Sequence, residues 1–430
     1  MSMITSDHNQ AAVAAVPGQS NHFAFAAMTS LFFIWGFITA LNDILIPQLK
    51  AAFSLNYTQA MLVQFCFFGA YFLVSPLAGK LIERIGYIKG IMAGLATIAL
   101  GCLLFYPAAE ISVYALFLFG LFILASGVTI LQVSANPYVA ILGPEETAAS
   151  RLSLAQAINS LGHTLAPLFG AALIFSATTD LSTGTADAKS VQLPYLILAA
   201  VTLVTAAGFY FLKLPLLTPP VPAATANQPL LTAESSIWQQ KGLLLGVLAI
   251  FLYVGAEVSI GSFLVNYLAL PEIGGLSEQQ ASSMVAYYWG GAMLGRFIGA
   301  LLTRYISASY VLISNALIAI LLLFVTMNAS GPLAVWSVIA IGFFNSIMFP
   351  TIFTMAIRGL GPLTSRGSGL LCQAIVGGAI LPLLQGLVAD RVGVQLSFIV
   401  PVLAYGYIAG YAWYHNRHRA VVSSFSRESL

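Results

Sequence analysis

Apolar residues in this chain come in blocks of twenty or more, without the narrow stripe of a soluble helix or the alternation of a strand. A helix needs about 20 apolar residues to cross the hydrocarbon of a bilayer. Twelve blocks qualify: 23–50, 57–81, 88–108, 112–141, 152–177, 192–213, 242–269, 277–303, 308–328, 332–357, 367–388 and 395–414. The pattern predicts an all-α integral membrane protein with twelve transmembrane helices.

Composition agrees. The 430 residues are 59% hydrophobic and 7% charged, with mean hydropathy +0.91. Soluble domains are about 45–50% apolar and about 25% charged. Net charge is only +2, but its distribution is uneven. With both termini on one side, thirteen of sixteen Lys and Arg fall on that side: Lys80, Arg84, Lys89, Arg151, Lys213, Lys241, Arg296, Arg304, Arg358, Arg366, Arg417, Arg419 and Arg427. Only Lys50, Lys189 and Arg391 fall on the other, so the positive-inside rule predicts cytoplasmic termini. No basic stripe points to nucleic acid. Cys66, Cys102 and Cys372 all lie inside apolar blocks and carry neither metal spacing nor a disulfide framework. The first 22 residues hold no Lys or Arg, unlike a signal peptide.

The longest stretch without apolar periodicity, about 215–240, separates six blocks from six. Expected units are a flexible cytoplasmic N-terminus (1–22), a six-helix bundle (23–214), a cytoplasmic linker (215–240), a second bundle (241–416) and a tail (417–430). The halves repeat each other at an offset of 215. Ser150-Arg151-Leu152-Ser153 returns as Ser365-Arg366-Gly367-Ser368, Gly162 as Gly377 and Pro167 as Pro382. Pro137 and Pro350 punctuate the preceding blocks, followed by Gly143-Pro144 and Gly361-Pro362. Parallel six-span halves with Gly- and Pro-broken helices place a substrate near the midplane, between the halves.

Polar residues inside the blocks are the informative ones. A carboxylate in hydrocarbon costs about 2.5–3.5 kcal/mol on insertion scales and is kept where it has something to bind. Asp43, in the first block, is therefore the leading candidate for a coupling-ion site. Pro47 and Pro137 donate no N–H and so free the carbonyls of Asp43 and Val133, which can line a cavity or simply mark kinks. Other polar residues fall on helix faces by spacing: Trp35, Thr39 and Asn42; Thr129, Gln132 and Asn136; Gln156, Asn159 and His163; Tyr253 and Glu257. Asn345, Gln373 and Gln385 join them from later blocks, and Tyr287, Tyr288 and Trp289 are aromatic candidates for stacking. One such stripe serves equally as interhelical glue. Four converging stripes suit a sugar, which needs donors and acceptors around it and an aromatic ring on its C–H face. Glu257 can accept two hydroxyls strongly, or pair with Arg296.

The loop after the second block reads Gly79-Lys80-Leu81-Ile82-Glu83-Arg84-Ile85-Gly86-Tyr87-Ile88-Lys89. It resembles the loop signature of the major facilitator superfamily, with Glu83 where Asp is usual and Ile88 for a basic residue. Gly299 to Arg304 resembles a worn second copy. An acid at a helix end beside an arginine can latch two helices in one state of a transport cycle, so Gly79, Glu83, Arg84, Gly86 and Arg296 are the gating candidates. Leu41-Asn42-Asp43-Ile44-Leu45-Ile46-Pro47-Gln48, Ser134-Ala135-Asn136-Pro137-Tyr138, Leu154-Ala155-Gln156 with Asn159-Ser160, Tyr253-Val254-Gly255-Ala256, Gly295-Arg296-Phe297 and Pro350-Thr351-Ile352-Phe353 resemble the narrower fucose permease family. That resemblance implies the major facilitator fold with two pseudo-symmetric halves. It also implies hexose uptake across a bacterial inner membrane, a coupling role for Asp43, and Gln156 and Asn159 as sugar contacts. Proton-coupled fucose carriers have a glutamate where this chain has Gln132, and a neutral residue where it has Glu257. The chain therefore looks more like the glucose/galactose branch.

Sodium is the favoured coupling ion, because an amide at position 132 cannot take up a proton. Its oxygen cage would draw on Asp43, Asn42, Gln132, Thr129 or Ser134 and the carbonyl freed by Pro47. The alternative is a proton on Asp43, with fucose or N-acetylglucosamine as cargo. Sugar contacts are expected from Gln156, Asn159, His163, Tyr253, Glu257, Asn345 and Gln373. The other classes weighed are an enzyme, for which no nucleophile–base or metal set appears, a multidrug exporter, whose pocket would be less rich in amides, and a sugar sensor, which would carry a signalling domain. No cofactor beyond the coupling ion is implied. The expected partners are a small hexose and the lipid bilayer, around a monomer.

Overall fold

The computed structural model describes residues 22–53, 57–170, 191–212, 214–217 and 235–428, excepting the side chains of 41–52, 57–61, 64, 167–170, 278 and 418–428. The first half holds α1 (His22–Ala52), α2 (Tyr57–Ile85), α3 (Tyr87–Glu110), α4 (Tyr114–Ile141), α5 (Ala148–Gly170) and α6 (Gln192–Phe211). The second holds α7 (Lys241–Leu268), α8 (Glu278–Tyr305), α9 (Ala308–Asn328), α10 (Gly331–Asn345), α11 (Met348–Ile357), α12 (Thr364–Gln373), α13 (Gly377–Val392), α14 (Val394–Ser397) and α15 (Ile399–Glu428). The N-terminal segment before His22 and most of the linker lie outside the described residues.

Ten segments among the described residues are long and apolar enough to cross a membrane. The remaining two blocks correspond to α5 and α8. These carry the polar residues Gln156, Asn159, Ser160 and His163, and Arg296. These two helices pack against each other across the seam between the halves.

The tenth and eleventh blocks are each split. Ser346 and Ile347 separate α10 from α11, and a 3₁₀ turn at Ala374–Val376 separates α12 from α13. Non-helical backbone at membrane depth is tolerated where protein surrounds it. At the second break, a Cβ on Gly377 would collide with the Phe251 carbonyl of α7. Their first-half counterparts, α4 and α5, run unbroken, so the repeat is not carried into helix continuity.

Within the first half, α3 packs on α4 and α6, α2 on α4, and α1 on α5. In the second, α7 packs on α13 and α15, α10 on α8 and α9, and α9 on α15. Small residues set the closest approaches, as is usual between membrane helices. At α1–α5, a side chain on Gly36 would strike the Asn159 carbonyl, and one on Gly162 the Phe33 carbonyl. Between the halves the largest contacts are α5–α8, α5–α11, α2–α12 and α4–α12.

Candidate functional site

Arg296 lies nine residues before the end of α8 and is largely buried. The charge tally places it at a helix end and the loop motif groups it with the gate. In the structure it is instead the hub of a polar cluster inside the bundle. Its Nη2 lies 3.4 Å from Oε1 of Glu257 on α7, with side-chain exposures of 16% and 12%. Nε donates to the Ser346 carbonyl at 3.3 Å, and Nη1 donates to the Ser160 hydroxyl on α5, in the other half. The Ser346 carbonyl is available because Pro350, four residues on, has no N–H to offer it. A buried ion pair is weak evidence for stability, since desolvation offsets the attraction.

Neighbouring side chains complete the cluster. Tyr253 lies one turn before Glu257, its buried hydroxyl an electrostatic neighbour of the carboxylate beyond hydrogen-bond geometry. Asn345 donates to the hydroxyls of Tyr288 (2.8 Å) and Tyr405 (3.3 Å), tying α8, α10 and α15 together, while its own Oδ1 is buried with no hydrogen-bond partner among the described residues. Gln156, one turn before Ser160, has a buried side chain with no hydrogen bond to a described residue. Asn159 instead spends its amide nitrogen on the Phe32 carbonyl of α1 at 2.9 Å. His163 Nδ1 faces the Asn159 carbonyl at 3.3 Å.

Among the candidate cation ligands, Ser134 parts from Gln132. The side chains of Asn42 and Asp43 fall outside the described residues. Gln132 accepts the Tyr71 hydroxyl of α2 at 2.8 Å. The Thr129 hydroxyl bonds back to the Ala125 carbonyl and that of Ser134 to the Ile130 carbonyl. Ser134 lies against Gly90 of α3, whereas Gln132 faces α2, so these two are not brought together. Asn136 is fully buried, with neither amide atom bonded among the described residues. Gln373 crosses the seam to the Phe72 carbonyl at 3.1 Å, and Gln385 reaches Ser397 at 3.2 Å.

At the basic end of the bundle the halves are latched. Glu83 Oε2 accepts from Arg366 Nε at 2.6 Å, so the motif's acid pairs with an arginine of the repeat, across the seam, while Arg84 is exposed. Gly79 lies under the Ser365 carbonyl and Gly369 under that of Ser75, each leaving no room for a side chain. Gly86, at φ +83°, sits in the left-handed region that favours glycine and turns the chain from α2 into α3. Glu145 pairs with Arg358, Ser150 donates to the Ala300 carbonyl (2.6 Å), and Ser365 bonds Tyr87 (3.3 Å). Arg151, the repeat partner of Arg366, does something different. It donates to the carbonyls of Val139, Ala140 and Pro144 and so caps the end of α4. A cavity of about 270 Å³ at this end is lined by Glu145, Arg304, Arg358 and His415, away from the amide-rich centre.

Sequence reasoning anticipates Glu257 facing Arg296 but misses Ser160, Ser346, Tyr71 and the Glu145–Arg358 pair. Backbone acceptors leave no signature in a sequence. Offset 215 does flag Ser153 and Ser368 as a matched pair.

Residues 23–371 match the sequence profile of the Major Facilitator Superfamily. The chain belongs to that superfamily and to its fucose permease family. It is 59% identical to the glucose/galactose transporter of Brucella abortus over 91% of this chain and 94% of that one. It is 36% identical to the L-fucose-proton symporter of Escherichia coli over 93% and 95%. The crystal structure of a major facilitator superfamily transporter, FucP, in the outward conformation superposes with TM-score 0.82 at 35% identity, covering 92% of this chain and 99% of the other. The all-α fold of two pseudo-symmetric halves is therefore a major facilitator fold.

Proposed function

We propose that the protein is a cation-coupled hexose symporter that imports glucose- or galactose-type sugars by alternating access. The observation that carries this reading is the Glu257–Arg296 pair, which meets the other half at Ser160, one turn from the buried amide of Gln156. Carboxylate and amide together supply the acceptors and donors a sugar requires. The 59% identity to the glucose/galactose transporter of Brucella abortus supports the choice of sugar.

The halves, 23–214 and 241–416, rock about the central site on the 215–240 linker. In the arrangement described here the Glu83–Arg366 and Glu145–Arg358 pairs hold the basic end shut. With that end cytoplasmic, as the Lys and Arg distribution directs, the site is screened from the cytoplasm, and the protein resides in a bacterial inner membrane with both termini inside.

Sodium is our first reading for the coupling ion, held at Asp43. The Tyr71 hydroxyl engages Gln132 as a neutral acceptor, so position 132 is an oxygen donor without a titratable proton. A proton on Asp43 is the second reading, favoured by the 36% identity to a proton symporter. Purified protein in liposomes, given labelled glucose and an inward sodium gradient at equal pH, decides between them. Accumulation supports sodium. Accumulation only under a pH gradient rejects it, and no sugar movement under either gradient rejects the hexose reading.

A further inference from the structure

Arg296 has three engagements on three different elements: Glu257 on α7, the Ser346 carbonyl between α10 and α11, and Ser160 on α5. The first two belong to its own half and the third to the other. A guanidinium is a rigid planar fork, so fixing two of its nitrogens aims the remaining one. The Ser346 carbonyl, freed by Pro350, is one anchor and Glu257 the other. The Glu257 anchor is long, at 3.4 Å against about 2.7–2.9 Å for a tight charge-assisted bond. The carboxylate thus keeps acceptor capacity for hydroxyl donors. A hydroxyl that docks on Glu257 competes with Nη2 and changes the angle of the fork, and with it the reach of Nη1 to Ser160. One turn from Ser160 and one turn from Arg296, the Thr164 hydroxyl lies 3.8 Å from the Met293 sulfur, directly across the same seam.

We propose that Arg296 is a positioning residue through which occupancy of Glu257 sets the closure of the α5–α8 seam. This rests on the reading of Glu257 as a sugar contact. The first-half counterpart is neutral. There the carbonyl of Val133, freed by Pro137, accepts the Ser368 hydroxyl directly from the opposite half at 2.9 Å. One proline-freed carbonyl is thus closed by a plain cross-half bond, whereas the other is closed through a cation that also senses an acid.

The test places Thr164→Cys and Met293→Cys in a full-length chain whose three native cysteines are replaced by alanine. Closure is read as the rate of cross-linking by a short bifunctional thiol reagent. Glucose is expected to change that rate by about fivefold or more, the lower range of coupling between sites. Adding Ser160→Ala, or separately Arg296→Gln, should reduce the glucose effect to less than about twofold, leaving less than the usual coupling range. Ser160→Ala retains the Glu257 pair, so it decides the matter if Arg296→Gln fails to fold. Glucose binding is measured in parallel by calorimetry. If the parent protein binds glucose but cross-linking does not respond, or if Ser160→Ala responds as the parent does, the proposed role of Arg296 is overturned. If the parent does not bind glucose at all, the sugar-site reading fails first, and the role of Arg296 with it.

Discussion

The Ser368 hydroxyl donates to the carbonyl of Val133 at 2.9 Å, joining α12 to α4 across the two halves. That carbonyl has no helical N–H to accept because Pro137 stands four residues on. The proline creates an acceptor inside the bundle, and the opposite half supplies the donor. Ser368→Ala removes the donor and leaves the carbonyl buried. The closed basic end should weaken by about 0.5–1.5 kcal/mol, a roughly two- to tenfold shift toward opening. Labelling of a cysteine placed behind the gate, faster in the variant than in the parent, checks this.

Glu83 and Arg366 form a cross-half pair at the same end, with side-chain exposures of 20% and 36%. Partial exposure limits the pair to about 1 kcal/mol. Glu83→Gln alone should speed gate opening modestly. The swap Glu83→Arg with Arg366→Glu should restore most of the parent's opening rate, whereas either reversal alone should open the gate further. Cysteine labelling of the four proteins is the measurement.

Close approach of α1 and α5 rests on Gly36 and Gly162. Gly162→Leu drives a side chain into the Phe33 backbone and should cost about 1–3 kcal/mol or more. A lowered Tm in detergent, without change in the sugar selectivity of the protein that survives, is the expected result.

The spans are legible in run length because bilayer thickness fixes how long an apolar helix must be, whereas the two halves are legible in the offset-215 repeat and the superfamily only in the motif at 79–89 and the segments that resemble it. Sequence spacing also brings Glu257 and Tyr253 to one helix face. It is silent on which face meets which helix. Asn159 is legible as a polar midspan residue, yet only the packing of Gly36 against α5 shows its amide nitrogen committed to Phe32. Arg151 and Arg366 are legible as a repeated pair, but one caps a helix and the other crosses the seam. Their roles diverge because Arg151, on α5, lies within reach of the last carbonyls of the preceding α4 whereas Arg366 reaches an acid. Ser134 and Gln132 share a cation ligand's chemistry but face α3 and α2 respectively, since residues two apart on an α-helix differ by about 200°.

Glu257 has the strongest acceptor in the central cluster, and Glu257→Gln substitutes a neutral amide of similar shape. Loss of a charged hydrogen-bond partner is expected to weaken glucose affinity by about 1.5–3 kcal/mol, roughly ten- to 150-fold. Calorimetric titration of purified parent and variant reads it directly. Unchanged affinity would move the sugar site away from α7.

The most direct test is the accumulation ratio of labelled glucose in liposomes holding the parent protein, Asp43→Asn or Glu257→Gln, under an inward cation gradient, with counterflow recorded alongside. The account predicts that the parent concentrates glucose, that Asp43→Asn loses accumulation but keeps counterflow, and that Glu257→Gln accumulates only at raised glucose. Concentration of glucose by both variants to the level of the parent would contradict it.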